Sequence, residues 1–296
     1  MCGIFGVYGA PDAAQLVHLG LYSLQHRGQE SAGIAAIDDD GVARAHRRMG
    51  LVSEGLASDG LADLDGHLAI GHTRYSTAGS STIENAQPIF VRSRGGHIAL
   101  AHNGNLVNAV QVRAELEAQG SIFSTNADSE VIVHRLAKSQ APTPAARMAE
   151  ALTGLDGAYS LVAAIGDTLI AARDPRGWRP LVMGRLNGAV VFASETCALD
   201  IVGAVAEREV GPGEIIVVDD TGVHAIQALE PMPLRRCVFE YVYFARPDSR
   251  VFGGSVDRAR RELGRQLAKE HPAPNADLVF SVPDSSNSAA LGFAEV

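Results

Sequence analysis

The sequence predicts an α+β fold in which two β-sheets pack together and are covered by helices. Apolar strand patterns lie near both ends of residues 4–219, and three helical patterns lie between them. This order differs from the regular alternation of strand and helix that produces a parallel α/β sheet. With 296 residues, 46% of them hydrophobic and 20% charged, the chain is long enough to fill such a layered core.

The individual elements follow from their local patterns. A first helix begins at Pro11 and Asp12 and ends near Gly28, because apolar residues recur along one of its faces. Apolar runs between Gly- and Asp-rich turns predict the strands Ile4–Tyr8, Ala32–Ile37, His67–His72, His97–His102, Ser160–Ile165, Thr168–Arg173, Val190–Ser194 and Glu214–Asp219. Three further helices are predicted over Asn108–Gln119, Ser129–Ser139 and Pro144–Leu155.

A change of pattern after Pro233 predicts a domain boundary, with one domain over residues 2–232 and a second over residues 233–296. In the second, Ser255–Glu270 has the pattern of an amphipathic helix and Asp277–Val282 that of an apolar strand. A turn at Pro283–Ser286 then leads into another helix. This is the beginning of a strand–helix unit, so we expect the second domain to be incomplete in this chain.

Composition and charge limit the class of protein. The formal net charge of −9 argues against a broad nucleic-acid-binding surface. The three cysteines, Cys2, Cys197 and Cys237, are too far apart for a disulfide framework, which favours a reducing compartment. The sequence has no secretory signal and no uninterrupted apolar run of the roughly 18 residues that a membrane helix needs. We expect a cytoplasmic protein without nucleic-acid or membrane partners.

Cys2 is the first candidate catalytic residue. Removal of Met1 would leave a terminal residue with both a thiol and an α-amine, whose ordinary pKa values are about 8.5 and about 7.7–8.0. Such a residue provides a nucleophile together with the base that activates it. Considered alone, the dipeptide is also compatible with a buried, an incidental or a lipidated cysteine.

Asn103 and Gly104 follow an apolar strand and have two interpretations. Both residue types tolerate positive φ, so they are compatible with a tight turn. Alternatively, the Asn side-chain amide and the Gly N–H act as two donors aimed at one point. Such a pair forms an oxyanion hole, where loss of one donor costs about 3 kcal/mol.

Arg74 and Asp128 are candidates for binding a free amino acid. Arg74 lies where a predicted strand runs into a loop of small residues, and its planar guanidinium suits a carboxylate. Asp128 precedes a predicted helix and would pair with an α-ammonium group, although capping of that helix would also explain it. Together they would hold both ends of an amino-acid head group and leave its side chain to reach Cys2.

Arg27 lies at the end of the first predicted helix. The neighbouring Gly28 is compatible with a C-cap, and a charged C-terminus alone would explain this segment. The functional alternative places Arg27 near Cys2, where a cation would favour the thiolate. The histidines nearby do not follow the spacing of a zinc signature and are predicted to form structural hydrogen bonds.

Five motifs in this order, MCGIFGV, HRGQESAGI, GHTRYST, HNGN and NADSE, resemble the glutaminase domain of class II amidotransferases. The resemblance covers residues 2 to about 230 and implies an N-terminal-nucleophile hydrolase with a four-layer αββα sandwich. Further segments, RDPRGWRPL, FASETCALD, GPGEI, EYVYFARPDS and VPDSSNSAALGFA, resemble the glutamine phosphoribosylpyrophosphate amidotransferase (amidophosphoribosyltransferase) family, whose second domain is an α/β phosphoribosyltransferase.

The resemblance implies a role for each candidate. It makes Cys2 the nucleophile, with Asn103 and Gly104 as the oxyanion hole, while Arg74 and Asp128 bind glutamine. By the same resemblance, Arg27 supports the site. The loop Tyr75–Thr82 would close on glutamine.

The same resemblance implies the partners and cofactors of a complete enzyme. Ammonia would pass from glutamine to phosphoribosyl pyrophosphate, in the first committed step of purine synthesis, within a homo-oligomer, a tetramer in the complete enzyme. Ser285 falls where the family begins its magnesium–pyrophosphate site, and Cys237 stands where the iron–sulfur branch has a [4Fe–4S] ligand. The further cysteines and the phosphate-binding loop of the family are absent from the printed sequence. We therefore expect this chain alone to hydrolyse glutamine and to lack the cluster.

Two other functions stay open from the sequence. One is another class II amidotransferase, such as a hexosamine-phosphate synthase or an asparagine synthetase, although the RPDS and VPDSS segments do not favour it. The other is a non-catalytic glutamine-binding module, for which replacement of Cys2 would leave function intact.

Overall fold

In a computed structural model, which describes residues 2–56, 60–76 and 80–296, the chain forms two large antiparallel β-sheets. The strands are β1 (Gly3–Tyr8), β2 (Ser31–Ile37), β3 (Ala43–Met49), β4 (Leu68–Arg74), β5 (Ile89–Ser93), β6 (Gly96–Leu106), β7 (Gly157–Ile165), β8 (Leu169–Arg173), β9 (Val182–Leu186), β10 (Ala189–Ala193), β11 (Val205–Glu209), β12 (Glu214–Asp219), β13 (Gly222–Gln227), β14 (Arg250–Val251) and β15 (Gly254–Ser255). The α-helices are α1 (Ala13–Ser23), α2 (Val52–Gly55), α3 (Ala109–Ala118), α4 (Glu130–Lys138), α5 (Pro144–Leu152), α6 (Thr196–Ile201), α7 (Val256–Glu270) and α8 (Asn287–Ala294).

The two sheets have different strand orders. Within the described residues, one sheet has seven strands in the order β11-β9-β10-β1-β4-β2-β3, and the other has six in the order β13-β12-β8-β7-β6-β5. β1 lies at the centre of the first sheet, between β10 and β4. β6 pairs along its length with β7 in the second sheet.

Three hydrophobic layers hold the sandwich together. The layer between the sheets contains Ile4, Ile70, Ala101 and Val162, one from each of four strands. The outer face of the seven-stranded sheet packs against α1, α2 and α6, and that of the six-stranded sheet packs against α3, α4 and α5. This order of helix, sheet, sheet and helix confirms the predicted αββα sandwich, because each sheet buries both faces.

The strands that the sequence did not predict are mainly edge strands. β3 and β11 are the edges of one sheet, and β5 and β13 are the edges of the other. An edge strand meets solvent on one side and needs no continuous apolar pattern, as the sequence ARAHRRM of β3 illustrates. β9, beside β11, was also missed.

The region after Pro233 packs on the sandwich. The N–H of Arg235 donates to the carbonyl of Arg176, and that of Cys237 donates to the carbonyl of Trp178. The strand predicted at Asp277–Val282 is not formed, because these residues pair with no other strand of the described chain and remain largely exposed. The proposed boundary at 232/233 stays a prediction. Among the helices of the described residues, none has the length and apolar character needed to cross a membrane.

Candidate functional site

The alternation of side chains along three strands brings candidate residues into the space between the sheets. Ile4, Ile70 and Ala101 lie in the central layer. Successive side chains of a strand point to opposite faces, so a residue an even number of positions from one of these three lies on the same face of its strand. Cys2, Arg74 and Asn103 satisfy this rule, and the register of β1 with β4 places Gly3 opposite Thr73. Cys2 and Arg74 therefore meet at one end of the sandwich.

Cys2 is buried, with 8% of its surface exposed. Its Sγ lies 3.5 Å from the carbonyl oxygen of Tyr75, to which the thiol donates. Burial raises the pKa of the Cys2 thiol above its ordinary value, because the thiolate would lose its hydration. With Met1 attached, the neutral thiol is thus the stable form.

Arg74 is almost fully buried, and its guanidinium is already engaged. Nη1 donates to the carbonyl of Ser80 at 3.0 Å and lies 3.5 Å from Oε2 of Glu30. The other oxygen of Glu30 accepts bonds from the N–H and the hydroxyl of Ser76. Although burial opposes its charge, these bonds hold the pKa of Glu30 below its usual range. Glu30 thus links Arg74 to the segment that follows it.

Asp128 precedes α4, and its carboxylate is positioned by neighbouring groups. Oδ2 accepts from the N–H of Leu106 at 2.8 Å, and Oδ1 accepts from the Ser129 hydroxyl at 3.3 Å. Ser129 also accepts a bond from Gln87 and contacts Nδ1 of His102 at 2.9 Å. α4 begins at Glu130, so Asp128 itself lies in the turn before the helix.

Asn103 and Gly104 lie within β6 and not in a turn, which excludes the tight-turn interpretation. Asn103 is fully buried, and in the described part of the chain neither atom of its side-chain amide has a hydrogen-bond partner. Such an amide is costly unless a ligand satisfies it, which fits an oxyanion donor. A Cβ at Gly104 would lie 1.9 Å from the carbonyl oxygen of Ala158, so the close pairing with β7 requires glycine here.

The candidates surround a small cavity. It has a volume of about 20 Å³ and is lined by Cys2, Arg74, Tyr75, Ser76, Gln87, His102, Gly104, Ala127, Asp128 and Ser129. Asn103 and Arg27 are not among its lining residues. A cavity needs about 10–15 Å³ to hold one water molecule, so glutamine does not fit in this conformation. Of the loop Tyr75–Thr82, residues 77–79 lie outside the described residues.

Arg27 reaches Cys2 through the backbone and not through the thiol. Its Nε donates to the carbonyl oxygen of Cys2 at 2.9 Å. Its other nitrogens bind Glu195 and Glu240. α1 ends earlier, at Ser23, and a short 3-10 helix, Gln25–Arg27, follows it. Gly28 caps that turn, since its N–H donates to the carbonyl of Gln25 at 3.2 Å, but its φ of −167° is extended and not the left-handed conformation of a C′ glycine. The charge of Arg27 is balanced by carboxylates and is not directed at the thiol.

The two candidate metal residues lie apart from this cavity. Ser285 and Asp284 line a larger cavity of about 540 Å³ beside Tyr243 and Arg246. Cys237 is half-buried. Within residues 2–56, 60–76 and 80–296, no group of three or more His, Cys, Asp or Glu side chains is arranged to hold a metal ion.

Several residues of the site were not identified individually from the sequence. Glu30 lies in the HRGQES motif and Glu195 in the FASETC motif, but neither was assigned a role. Ser129 lies in the NADSE motif and Glu240 begins the EYVYFARPDS segment, again without an assigned role. Gln87 lies outside these motifs, and only the fold brings it to the site.

Comparison with known proteins identifies relatives of the chain. Residues 72–200 match the family described as a glutamine amidotransferase domain. The chain is 52% identical to amidophosphoribosyltransferase 2 (chloroplastic) of Arabidopsis thaliana over 99% of this chain and 52% of that protein. It is 47% identical to the amidophosphoribosyltransferase of Bacillus subtilis, over 99% of this chain and 62% of that protein. The chain is homologous to amidophosphoribosyltransferases over nearly its whole length.

Solved structures of the family support the same conclusion. The glutamine phosphoribosylpyrophosphate amidotransferase from B. subtilis complexed with ADP and GMP superposes with a TM-score of 0.94 at 46% identity. This match covers 99% of the chain and 64% of that protein. The chain therefore spans between about half and two thirds of the length of these relatives. The αββα fold is shared with a family member over nearly all of this chain.

Proposed function

We propose that this chain hydrolyses glutamine through a thioester on Cys2, as the glutaminase half of an amidophosphoribosyltransferase. The observation that carries the proposal is the common cavity of Cys2, Arg74, Gly104 and Asp128, which are far apart in the sequence. A nucleophile, a cation for a carboxylate and an anion for an ammonium group meet there. The names of the relatives support the same activity.

Glutamine would be held by its α-amino-acid group. The guanidinium of Arg74 binds the α-carboxylate, and Asp128 binds the α-ammonium. Arg74 now contacts Ser80 and Glu30, so binding requires it to exchange these contacts for the substrate and the cavity to widen. Ser76 and Ser80, which contact Glu30 and Arg74, are the described residues that would have to shift.

The chemical step uses the two groups of one residue. After removal of Met1, the α-amine of Cys2 takes the thiol proton as Sγ attacks Cδ of glutamine. The side-chain N–H of Asn103 and the backbone N–H of Gly104 stabilise the oxyanion of the tetrahedral intermediate. The proton passes to the leaving nitrogen, the C–N bond breaks and ammonia leaves. Water then attacks the thioester, which releases glutamate and restores the thiol.

The whole enzyme would use this ammonia at a second site. Its nitrogen attacks C1 of phosphoribosyl pyrophosphate, and the C1–O bond breaks as pyrophosphate leaves, which gives 5-phosphoribosylamine. This is the first committed step of purine synthesis. Asp284 and Ser285 would contribute oxygen ligands to a magnesium ion there, since Mg²⁺ prefers such donors and neutralises pyrophosphate charge.

An iron–sulfur cluster is not supported by the residues present. A [4Fe–4S] cluster needs four thiolates, and this chain has three cysteines. Cys2 and Cys197 are buried elsewhere in the fold, so Cys237 is the one cysteine of this chain that could be a cluster ligand. Cys237 remains a proposed ligand for a longer enzyme only. A cytoplasmic location and a homotetramer likewise remain proposals.

The proposal is tested with protein from which Met1 has been removed, as verified by mass spectrometry. We expect release of glutamate and ammonia from glutamine, and a covalent adduct on Cys2 with an electrophilic glutamine analogue. Absence of both would contradict the proposal. Another class II amidotransferase would also hydrolyse glutamine. Formation of 5-phosphoribosylamine by the longer enzyme distinguishes the two.

A further inference from the structure

Arg27 is the centre of a buried ionic cluster next to the nucleophile. Its Nη1 and Nη2 form a two-point contact with Glu240, each at 2.9 Å, and Nη1 also donates to Glu195 at 2.5 Å. The three side chains are fully inaccessible to solvent. Nε, the remaining edge of the guanidinium, donates to the carbonyl of Cys2 at 2.9 Å.

The two carboxylates come from different parts of the chain. Glu195 immediately precedes α6 within the sandwich, and its Oε2 accepts bonds from the N–H of Arg246 and the hydroxyl of Ser249. Glu240 begins a short π-helix, Glu240–Phe244, beyond the predicted boundary at 232/233. A segment outside the predicted glutaminase domain therefore contacts the residue that holds Cys2.

The charges of the cluster depend on one another. Burial opposes the positive charge of Arg27, but Glu240 and Glu195 outweigh it and raise the pKa of Arg27. Burial also opposes the charge of Glu195, but Arg27, His26 and the N–H of Arg246 together outweigh it and lower the pKa of Glu195. Removal of Arg27 would leave two buried carboxylates without their common cation, whereas removal of one carboxylate leaves Arg27 paired with the other.

Glu240 determines the orientation of the guanidinium. A guanidinium is planar, and a two-point contact with a carboxylate fixes both its position and its plane. With Nη1 and Nη2 held by Glu240, Nε is left directed at the carbonyl of Cys2. Glu195 contacts only Nη1 and would allow the plane to rotate.

We propose that Glu240 is a positioning residue for Cys2, acting through Arg27. By fixing the Cys2 carbonyl, the pair Arg27–Glu240 fixes the backbone from which both the thiol and the α-amine extend. This inference rests on the proposed glutaminase function. It assigns to the segment after Pro233 a part in glutamine hydrolysis, separate from any acceptor site.

The test compares Glu240→Gln with Glu214→Gln in the full chain after removal of Met1. Gln keeps the size of Glu but removes its charge and one acceptor. Glu214 is the control for loss of a two-point contact, because it forms one with Arg208 at 2.8 and 2.9 Å, in a partly exposed pair that does not line the cavity. Three quantities are measured for each protein: kcat and KM for glutamine, the rate of Cys2 alkylation by iodoacetamide, and the thermal unfolding midpoint.

We expect Glu240→Gln to lower kcat at least about tenfold, since displacement of reacting groups by about 1 Å can cost on the order of 100-fold. KM for glutamine should change less than about twofold, because Arg74 and Asp128, which are proposed to bind glutamine, are unchanged. The alkylation rate of Cys2 should change together with kcat. Glu214→Gln should keep the parent kcat.

Other results would overturn the inference. A folded Glu240→Gln protein with parent kcat and alkylation rate excludes positioning. If this variant does not fold, Glu240→Asp, which keeps the charge, is measured in its place, and a parent kcat there has the same meaning. If neither folds, the ion pair serves stability and the inference is wrong. An inactive parent protein instead contradicts the proposed function, and the Cys2 alkylation rates then test the positioning by themselves.

Discussion

Asp128 accepts a hydrogen bond through Oδ2 from the backbone N–H of Leu106 at 2.8 Å. Leu106 ends β6, the strand that carries Asn103 and Gly104. The carboxylate proposed to bind the substrate ammonium is therefore attached to the strand proposed to bind the oxyanion. Substrate position and oxyanion position are coupled through one short segment of backbone.

Replacement of Asp128 by Asn should weaken glutamine binding. The amide oxygen can still accept from Leu106, but the negative charge opposite the α-ammonium is lost. We expect KM to rise roughly 10- to 100-fold, as a charge-assisted hydrogen bond contributes about 1.5–3 kcal/mol. Steady-state glutaminase kinetics measure this. Asp219→Asn, in a surface turn with Thr221, is the matched control. An equal KM in both variants would contradict the assignment of Asp128 to the substrate ammonium.

Replacement of Cys2 by Ala should abolish hydrolysis and leave binding. No other group can form the thioester, so the rate of glutamate release should fall by at least about 1,000-fold. Isothermal titration with glutamine should still detect binding. Cys197→Ala, which removes another buried thiol, should keep activity. Retained turnover in Cys2→Ala would favour a non-catalytic role for this residue.

The stability of the protein should fall in acid partly because of His72. Burial lowers the pKa of His72 to about 3, whereas the unfolded chain binds this proton near pH 6.5. The contribution of neutral His72 to the free energy of unfolding is fully present above pH 6.5 and is lost as the pH falls from there towards 3. The slope is up to about 1.4 kcal/mol per pH unit for one proton.

His72→Gln should reduce this dependence, because Gln keeps a donor for the carbonyl of His102 but does not titrate. Urea unfolding between pH 7 and pH 4 gives the free energy of unfolding and its slope. The exposed His271→Gln serves as the control. If His72→Gln and the parent protein have the same slope, the buried neutral His72 is not a source of acid sensitivity.

Replacement of Gly28 by Ala should disturb Arg74. A Cβ at Gly28 would lie 2.5 Å from the carbonyl carbon of Arg74, which is backbone and cannot rotate away. We expect a loss of about 1–3 kcal/mol in the free energy of unfolding, typical of overpacking, together with a higher KM for glutamine. Gly95→Ala is the comparison, because it meets only the end of the Arg147 side chain. Unchanged stability in Gly28→Ala would contradict this close contact.

The fold was predictable where both faces of a strand are buried. β1, β6 and β12 have the apolar pattern of a central strand, and the sequence predicted all three. The edge strands β3 and β13 are polar and partly exposed, so their pattern does not differ from that of a loop. The order of layers followed from the central strands, but the width of each sheet did not.

The site was predictable to the extent that each residue lies in a local motif. Cys2, Arg74 and Asp128 were candidates from their chemistry and position, and the fold brings them to one cavity. Glu195 and Glu240, the partners of Arg27, also lie in segments quoted above, but nothing in those segments indicates that they pair with Arg27. Glu240 is separated from Arg27 by 213 residues, and its burial depends on packing that no local pattern reports.

The alternation of side chains along β1 constrains the length of the chain at this point. Cys2 points between the sheets only because one residue separates it from Ile4. A single inserted residue would turn the thiol to the other face of the strand. That face has no room for a side chain, since even a Cβ placed at Gly3 would lie 2.9 Å from Leu24. Insertions and deletions between Cys2 and Ile4 should therefore be eliminated by selection, even where each amino acid taken singly is acceptable.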